Sequence, residues 1–238
     1  LLNFKVNDLE IFFLPSRPHL QGPEGSFLTK PSVASSFAEV IRLQKQGEAM
    51  SEEFDVSLKG HFLIAMPGLQ DPNFARSVVC ICEHTVEGSL GLVVNRAYPS
   101  LAAKEIFEEL GIDYIPETAD VPVYFGGPVH MDELFILHGP PFDWGPSLAV
   151  GPELAMSNTR NILEAIAAGR GPEAYLIVLG CSGWGPNQME SEMMENAWLS
   201  CPLSSEIIFE LSVESRWEAA VRKLGINPAL LTDAAGHA

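Results

Sequence analysis

Two thiols, a carboxylate and an imidazole stand close together in the stretch VVCICEH (78–84). Because side chains alternate along a strand, Cys80, Cys82 and His84 are predicted to share one face, opposite Glu83. Thiolates and imidazoles are ligands for zinc and copper. Neighbouring residues on the same face of one strand lie about 7 Å apart, which disfavours coordination of one ion by two of them. We therefore expect a buried apolar strand, with no metal and no cofactor.

A second candidate stretch runs from Tyr175 to Pro202 and holds a predicted strand, a glycine-rich turn and a helix rich in Met and Glu. Gly180 to Gly183, placed between strand and helix, resembles the nucleophile elbow of hydrolases. The pattern G-x-S-x-G fails, since Trp184 stands where it needs glycine. A nucleophile at Cys181 would also need an oriented base, and the sequence identifies none. We predict a turn that allows close packing, and no catalytic residue.

The helix after this turn could present an acidic patch. Pro186 is predicted at its first position, which proline favours. Gln188, Glu192 and Glu195 share one face by their i+4 and i+3 spacing, while the methionines at 189 and 193 share another. The helix is interpreted either as a solvated acidic face over a buried Met face, or as a patch for a partner.

Backbone groups and histidines supply the remaining candidates. Gly126 and Gly127 precede Pro128, so they form either a cradle of backbone N–H groups for a ligand or a sharp turn between strands. His84, with Glu83, ends a predicted strand, and His130 and His138 flank a later one. An imidazole titrates near neutral pH and can act as a general base, although a lone histidine is more often structural.

The elements that position these residues alternate between strand and helix. Two hairpin-like units come first and strand–helix units follow, which predicts an α/β fold: a layered αβα-type domain with a mixed sheet. The predicted strands are Phe62–Met66, Ser77–His84, Ser89–Asn95, Val121–Phe125, Glu133–His138, Tyr175–Leu179 and Glu206–Leu211. Of these, the sixth is so apolar that it should be central. The predicted helices are Leu101–Leu110 after a Ser100 cap, a helix from a Ser157 cap to Ala168, the Pro186 helix, and Ser215–Leu224.

Composition excludes several classes of function. The net charge is −17, with only 14 Lys plus Arg. This acidity opposes direct binding to nucleic acid and docking on anionic membranes, and it favours a protein partner with a basic face. The chain also lacks an apolar run of about 18 residues, the length of a membrane span. The four cysteines fit no zinc or disulfide framework, so free thiols in a cytoplasmic protein are expected.

Residues 1–49 differ from the rest of the chain. They hold five basic and five acidic side chains, whereas residues 50–238 hold nine basic and 26 acidic ones. Residues 15–36 are rich in Pro, Ser and Gly, so residues 1–49 are predicted to be a disordered or non-native leader, with one short helix at Val33–Gln46. Residues 50–238 are predicted to form a single domain. Met50 is the first methionine and could be the natural start, or the leader could be a genuine extension.

Three long stretches resemble the YqgE/AlgH family of bacterial proteins. They are LKGHFLIAMPGLQDPNFARSVVCICEHTVEGSLGLVVNR (58–96), VYFGGPVHMDELFILH (123–138) and LGCSGWGPNQMESEMMENAWL (179–199), and the terminal GHA fits as well. Two places depart from the family pattern. Cys181-Ser182 replaces an aromatic residue and alanine, and Pro99 comes later after Asn95 than is usual.

The resemblance implies a layered α/β domain in a cytosolic bacterial protein. Members are often described as transcriptional regulators through a genetic link to alginate production. The family pattern matches Pro67, Asp71, Phe74, Ser77, Glu83, His84, Gly88, Gly91, Asn95, Gly126, Gly127, Pro128, His138, Gly183, Trp184, Gln188, Glu190, Glu192 and Trp198.

Two functions follow as expectations. The first is a non-enzymatic regulatory or interaction protein that acts on transcription indirectly. The second is a small-molecule-binding module, or an enzyme, whose site is built from the Glu83-His84, Gly126-Gly127 and Gly183-Trp184 turns. The candidate ligand or partner site comprises Glu83, His84, Asn95, Gly126, Gly127, Trp184, Gln188 and Glu192.

Overall fold

The computed structural model describes residues 57–231. The leader and its predicted helix at Val33–Gln46 lie outside the described residues. The strands are β1 (His61–Ala65), β2 (Val78–Thr85), β3 (Gly88–Val93), β4 (Ala97–Ala102), β5 (Pro122–Phe125), β6 (Val129–His138), β7 (Ser147–Gly151), β8 (Leu154–Ser157), β9 (Tyr175–Trp184) and β10 (Trp198–Pro202). The α-helices are α1 (Ala103–Leu110), α2 (Pro116–Ala119), α3 (Arg160–Ala167), α4 (Gln188–Met194), α5 (Ser205–Phe209) and α6 (Arg216–Lys223).

The ten strands form one mixed sheet. Its main path runs β10-β1-β2-β3-β9-β6-β8-β7, and β4 pairs with β5, which in turn pairs with β9. The pairing of β5 with β9 is parallel, and the other pairings in the described residues are antiparallel. The predicted α/β class with a mixed sheet is confirmed.

Strand β9 is the centre of the sheet and changes neighbour midway. Its first half pairs with β5 through Ile177 to Leu179, and its second half pairs with β3 through Ser182 to Trp184. The change of partner falls at Gly180, whose φ of +75° is a conformation that glycine adopts at little cost. The predicted turn at 180–183 is therefore wrong, because these residues continue the strand and hydrogen-bond to β3 and β6.

The Gly126-Gly127 pair ends β5 at this junction. A Cβ atom on Gly126 would lie 2.1 Å from the Gly180 carbonyl oxygen, and one on Gly127 would lie 2.3 Å from the Cys181 carbonyl oxygen. Gly127 also has a φ of +146°. Only glycine lets the two backbones approach this closely, and the carbonyl of Gly126 accepts hydrogen bonds from the Val93 N–H and the Ser182 hydroxyl.

Alternation along the strands divides the core between the two faces of the sheet. Val178 of β9 and Cys80 of β2 belong to the cluster on one face, which α5 and α6 cover. On the opposite face, Ile177 packs with residues of α1 and α3, while Val79 packs with Trp184 and with Met189 of α4. Helices on both faces give the layered arrangement that the sequence predicts. Burial of each large apolar side chain stabilises the fold by about 1.5–3 kcal/mol.

Sequence patterns misassigned the end of the chain. Residues 206–211 were predicted as a strand, but α5 occupies Ser205–Phe209 and buries Ile207 and Ile208. A short apolar run fits a buried strand and a buried helix equally well. The edge strand β10, which pairs with β1, was missed because it is only five residues long and carries Ser200 and Pro202.

Two predicted serine caps are also wrong. Ser100 lies in β4, and α1 begins at Ala103, where the Glu105 carboxylate accepts the backbone N–H of Ala102 at 2.9 Å. Ser157 lies in β8, and α3 begins only at Arg160. Ser157 is held in an extended conformation by pairing with β6 and β7, and β7 and β8 were not predicted at all.

Candidate functional site

Helix α4 begins two residues later than its proline suggests. Pro186 was predicted at the first helical position, but the helix starts at Gln188 and the preceding Asn187 has a φ of +58°. Asparagine tolerates this left-handed conformation better than most residues. The side-chain oxygen of Gln188 accepts the backbone N–H of Gly185 at 3.0 Å, which fixes the short link between β9 and α4.

The Glu192 carboxylate anchors α4 to two strands. Its Oε2 atom accepts the indole N–H of Trp184 at 3.0 Å and that of Trp198 at 2.9 Å. Its Oε1 atom accepts the amide of Gln188 at 2.8 Å. Hydrogen bonds to an ionised acceptor are stronger than neutral ones. We call Glu192 with these three donors the indole clamp.

Aromatic rings pack beneath the indole clamp. The rings of Trp184 and Trp198 meet edge to face at 6.0 Å between centroids, and Phe74 lies 6.2 Å from the first and 5.6 Å from the second. Such pairs add about 0.5–1.5 kcal/mol each beyond the area they bury. Both indoles are buried and Met189 fills the space beside them, so the inner side of α4 is fixed.

His84 holds the first turn of α4. Its Nε2 atom lies 2.8 Å from the Glu190 carboxylate, and its Nδ1 atom accepts the backbone N–H of Leu58 at 2.9 Å. An Nδ1 atom that accepts carries no proton, so Nε2 is the protonated nitrogen and donates to Glu190. The imidazole is 5% exposed and the Glu190 side chain 39% exposed.

A β-bulge separates His84 from the cysteines. The register of β2 against β3 shifts between Ile81 and Glu83, so His84 stands in one row with Ser89 and Trp184. The prediction that His84 shares a face with Cys80 and Cys82 is wrong, because alternation holds only in a regular strand. The bulge instead turns the imidazole toward α4.

Glu83 also follows this bulge and forms an ion pair with Lys59 at 3.4 Å. Burial raises the pKa of the Glu83 carboxyl, and the ammonium of Lys59 opposes that rise. Two adjacent candidate residues thus have different partners: Glu83 pairs with Lys59, and His84 contacts Glu190 of α4.

Three of the candidate residues have structural roles in the sheet: Asn95, Gly126 and Gly127. The Asn95 side chain accepts the backbone N–H of Val78 at 2.7 Å and donates to the Arg76 carbonyl at 2.9 Å. It closes the loop before β2, whereas the glycine pair seats β5 against β9. Of the eight candidate residues, four meet around α4: His84, Trp184, Gln188 and Glu192.

The outer face of α4 is exposed. Met194 is 77% exposed, and Ser191, Glu195 and Asn196 are exposed beside it. Met189, which was predicted to be buried, is fully buried, and Met193 is half-buried against the same cluster. The helix therefore carries a fixed inner side and an outer side that joins one large apolar side chain to acidic and polar neighbours.

The cysteines are buried and unpaired. Burial raises the pKa of the Cys181 thiol to about 12, with a smaller contribution from the Glu133 carboxylate. The thiolate is the nucleophilic form, so Cys181 is unreactive at neutral pH. Within residues 57–231, no group of three or more His, Cys, Asp or Glu side chains is placed to hold a metal ion.

The structure also contains a hydrogen-bonded chain of hydroxyl and imidazole groups that the sequence did not predict. The Ser147, Ser157 and His138 side chains form it on β7, β8 and β6. His138 had been noted as a possible base, but neither serine was, because both β7 and β8 were missed. Only the register of two unpredicted strands could have brought them together.

No helix among the described residues is both long and apolar enough to cross a membrane. The fold and the α4 anchors define a class: a mixed α/β domain that holds a short acidic helix on one face of its sheet through buried indoles. Comparison with known proteins gives the family. A family model described as AlgH-like matches residues 62–229, and the chain belongs to that family.

Relatives of the chain support this assignment. It is 47% identical over 189 residues to a UPF0301 protein of Desulforapulum autotrophicum, covering 79% of this chain and all of the relative. A UPF0301 protein of Methylococcus capsulatus is 46% identical over 182 residues, covering 76% of this chain and 96% of the relative.

Solved structures agree with the fold. The solution structure of the AlgH protein from Pseudomonas aeruginosa has a TM-score of 0.64 at 46% identity, covering 79% of this chain and all of that one. The crystal structure of protein DIP2367 from Corynebacterium diphtheriae has a TM-score of 0.58 at 21% identity, covering 77% of this chain and 93% of that one. The second comparison concerns the fold alone.

Proposed function

We propose that this chain is an interaction protein of the cytoplasm whose α4 surface binds a protein partner with a basic face, and that it acts on transcription indirectly through that partner. One observation carries the proposal: α4 is locked from the inside, by Glu192 on two indoles and Glu190 on His84, while Met194 on its outer side is 77% exposed.

An exposed methionine on a rigid helix is a suitable anchor for a partner. Methionine adapts its shape to the surface it meets, and binding surfaces use it for that reason. A surface that is already rigid loses little conformational entropy when it binds. The Glu192 anchors and the buried Met189 provide that rigidity. Met194 is the most exposed of the large apolar side chains among the described residues.

Charge sets the kind of partner. Glu195 lies exposed beside Met194, and Glu190 is partly exposed on the preceding turn. The chain as a whole has a net charge of −17. Opposite charge on the partner would speed encounter and fix orientation, whereas a phosphate backbone would be repelled. An effect on transcription through a protein fits this charge better than direct contact with DNA.

The proposal can be tested by crosslinking in the host cell. A photo-reactive amino acid replaces Met194 in one variant and Leu230, which is 74% exposed and lies far along the chain, in a control. We expect a protein adduct with a basic partner at position 194 that is absent at 230 and is lost when Glu195→Lys is added. The same adducts at both positions, or an adduct indifferent to the charge reversal, would contradict the proposal.

The alternative is a small-molecule site at the three turns named from the sequence. Its support is that Ser89 stands between His84 and Trp184 in one row of the sheet, which brings two of these turns together. The partner surface is favoured because the polar groups of His84, Trp184 and Gln188 already form hydrogen bonds within the protein. Their partners are Glu190, Glu192 and the backbone N–H of Gly185. A thermal-shift screen against metabolites tests the alternative: a ligand at 100 times its Kd adds about 2.7 kcal/mol to stability.

A further inference from the structure

A chain of two hydrogen bonds leads from half-buried Ser147 to a buried histidine, and a third bond joins the histidine to a backbone carbonyl. The Ser147 hydroxyl lies 2.8 Å from the Ser157 hydroxyl, which lies 2.9 Å from Nε2 of His138. The Nδ1 atom of His138 lies 2.7 Å from the Gly139 carbonyl oxygen. His138 and Ser157 are fully buried, whereas Ser147 is half-buried on β7.

The direction of this chain follows from its last member. A carbonyl oxygen only accepts, so Nδ1 of His138 carries the proton and Nε2 is the acceptor. The single hydroxyl proton of Ser157 must then point to Nε2, and the hydroxyl proton of Ser147 points to Ser157. Burial lowers the pKa of His138, which keeps the imidazole neutral at pH 7. The longer contact of Ser147, 3.4 Å to the Gly145 carbonyl, competes weakly for the same proton.

The loop of residues 139–146, which carries two aromatic side chains, joins His138 at the end of β6 to Ser147 at the start of β7. The Phe142 ring is 39% exposed and lies 5.9 Å from the His138 ring. Half-buried Trp144 donates its indole N–H to the Pro141 carbonyl at 2.9 Å, and its own carbonyl accepts from Thr159 at 3.1 Å, which hold the loop in place. Asp143 is exposed between these rings and would repel an anionic ligand.

We propose that Ser147 is a nucleophile for acyl transfer from small neutral esters with an apolar acyl group, with Ser157 and His138 as its proton relay. Attack forms a bond between Oγ of Ser147 and the acyl carbon. The Ser147 proton passes to Ser157 while the proton of Ser157 passes to Nε2 of His138. The ester C–O bond breaks, and the proton returns through the relay to the leaving oxygen. Water then releases the acyl group by the same route in reverse.

This site is separate from the α4 surface. It lies on β6, β7 and β8, whereas α4 follows β9 and contacts β3 and β10. The loss of either activity would therefore leave the other intact. The acyl-transfer serine is thus a second function, at a place other than the three turns named from the sequence.

A small alkyl fluorophosphonate tests the proposal on the full-length protein. Attack by Ser147 forms a Ser–O–P bond and releases fluoride, and mass spectrometry of peptides locates the adduct. We expect one adduct, at Ser147, in the folded protein and none in protein unfolded by urea. Ser147→Ala should abolish it, and Ser100→Ala, a change at an exposed serine of β4, should leave it unchanged.

The relay is tested by the rate of labelling. Removal of a general base costs about 10²–10⁴-fold. Ser157→Ala and His138→Gln should each slow the labelling of Ser147 by at least about 100-fold, while the circular dichroism spectra show that the variants remain folded. Ser157→Thr keeps the hydroxyl and should restore labelling. No adduct in the folded wild-type protein, or a rate that these changes leave the same, would overturn the proposal.

Discussion

Oε2 of Glu192 lies 3.0 Å from Nε1 of Trp184, and this one oxygen also accepts the indole N–H of Trp198. The two tryptophans come from β9 and β10, which the helix connects in sequence. One carboxylate oxygen thus ties the helix to the strand before it and to the strand after it. The position of the whole α4 surface depends on this contact.

Replacing the carboxylate should loosen α4. Glu192→Gln keeps the shape but removes the charge that strengthens both indole bonds, so we expect a loss of about 1–2 kcal/mol in the free energy of unfolding. Tryptophan fluorescence should change as the indoles meet water. Glu195→Gln, on the exposed side of the same helix, is the matched control and should leave both urea unfolding and fluorescence unchanged. Equal behaviour of the two variants would show that the clamp contributes nothing.

The β5–β9 junction should not accept a side chain. Gly127→Ala would place Cβ 2.3 Å from the Cys181 carbonyl oxygen at a φ of +146°. We expect a loss of at least about 2 kcal/mol, measured by urea unfolding. Gly151→Ala is the control, because nothing lies within 4 Å of its Cβ position and its φ is not positive. If the Gly127→Ala protein were as stable as the control, the claim that the close approach of β5 and β9 excludes a side chain would be wrong.

Arg216 is a further structural anchor. It is 3% exposed and donates to the Leu211 carbonyl at 3.1 Å, to the Val94 carbonyl and to the Tyr124 hydroxyl at 3.4 Å. Arg216→Met would leave these acceptors buried without a donor, at a cost of about 2–4 kcal/mol in thermal or urea unfolding.

The same helix offers the control for this change. Arg222 is exposed and pairs with Glu218 one turn away. Surface pairs of this kind contribute little, so Arg222→Met should leave the midpoint of unfolding almost unchanged. The account of Arg216 fails if both substitutions shift the midpoint equally.

Acid should destabilise the protein through His138. Its pKa in the folded protein lies below the ordinary value of 6.5 because burial disfavours the charged form. As the pH falls below about 6.5, the unfolded chain binds the proton first, so stability is lost at up to about 1.4 kcal/mol per pH unit until the lowered pKa is reached. Urea unfolding at several pH values should show this slope in the wild-type protein and a smaller slope in His138→Gln. Identical slopes in the two proteins would contradict a contribution of His138 to the loss of stability in acid.

Periodicity and composition were enough to predict much of the fold. The apolar runs at β1, β2, β3, β6 and β9 were recognised, and the buried central position of β9 was correct. Strands that carry serine and proline, such as β10, were not recognised, and neither were β4, β7 and β8. Their extended conformation is imposed by pairing with distant partners, which local sequence does not record.

The site was predicted only in part, for similar reasons. Trp184, Gln188 and Glu192 were named as candidates, and i+4 spacing alone placed the last two together. The turn of His84 toward α4 depends on a bulge in β2, and a bulge shifts every later side chain to the other face. The glycines at 126, 127 and 180 looked like a loop, although they serve the close approach of two strands.

The proposed partner surface is tested most directly by the affinity of the protein that crosslinks at position 194. Titration calorimetry would compare the wild-type chain with a Met194→Ser/Glu195→Lys variant and with Phe142→Ser as a control at a distant exposed apolar position. We predict that the first variant raises Kd at least about 10-fold, equivalent to about 1.4 kcal/mol, and that the control leaves Kd unchanged. An equal Kd for all three proteins would contradict a binding role for α4.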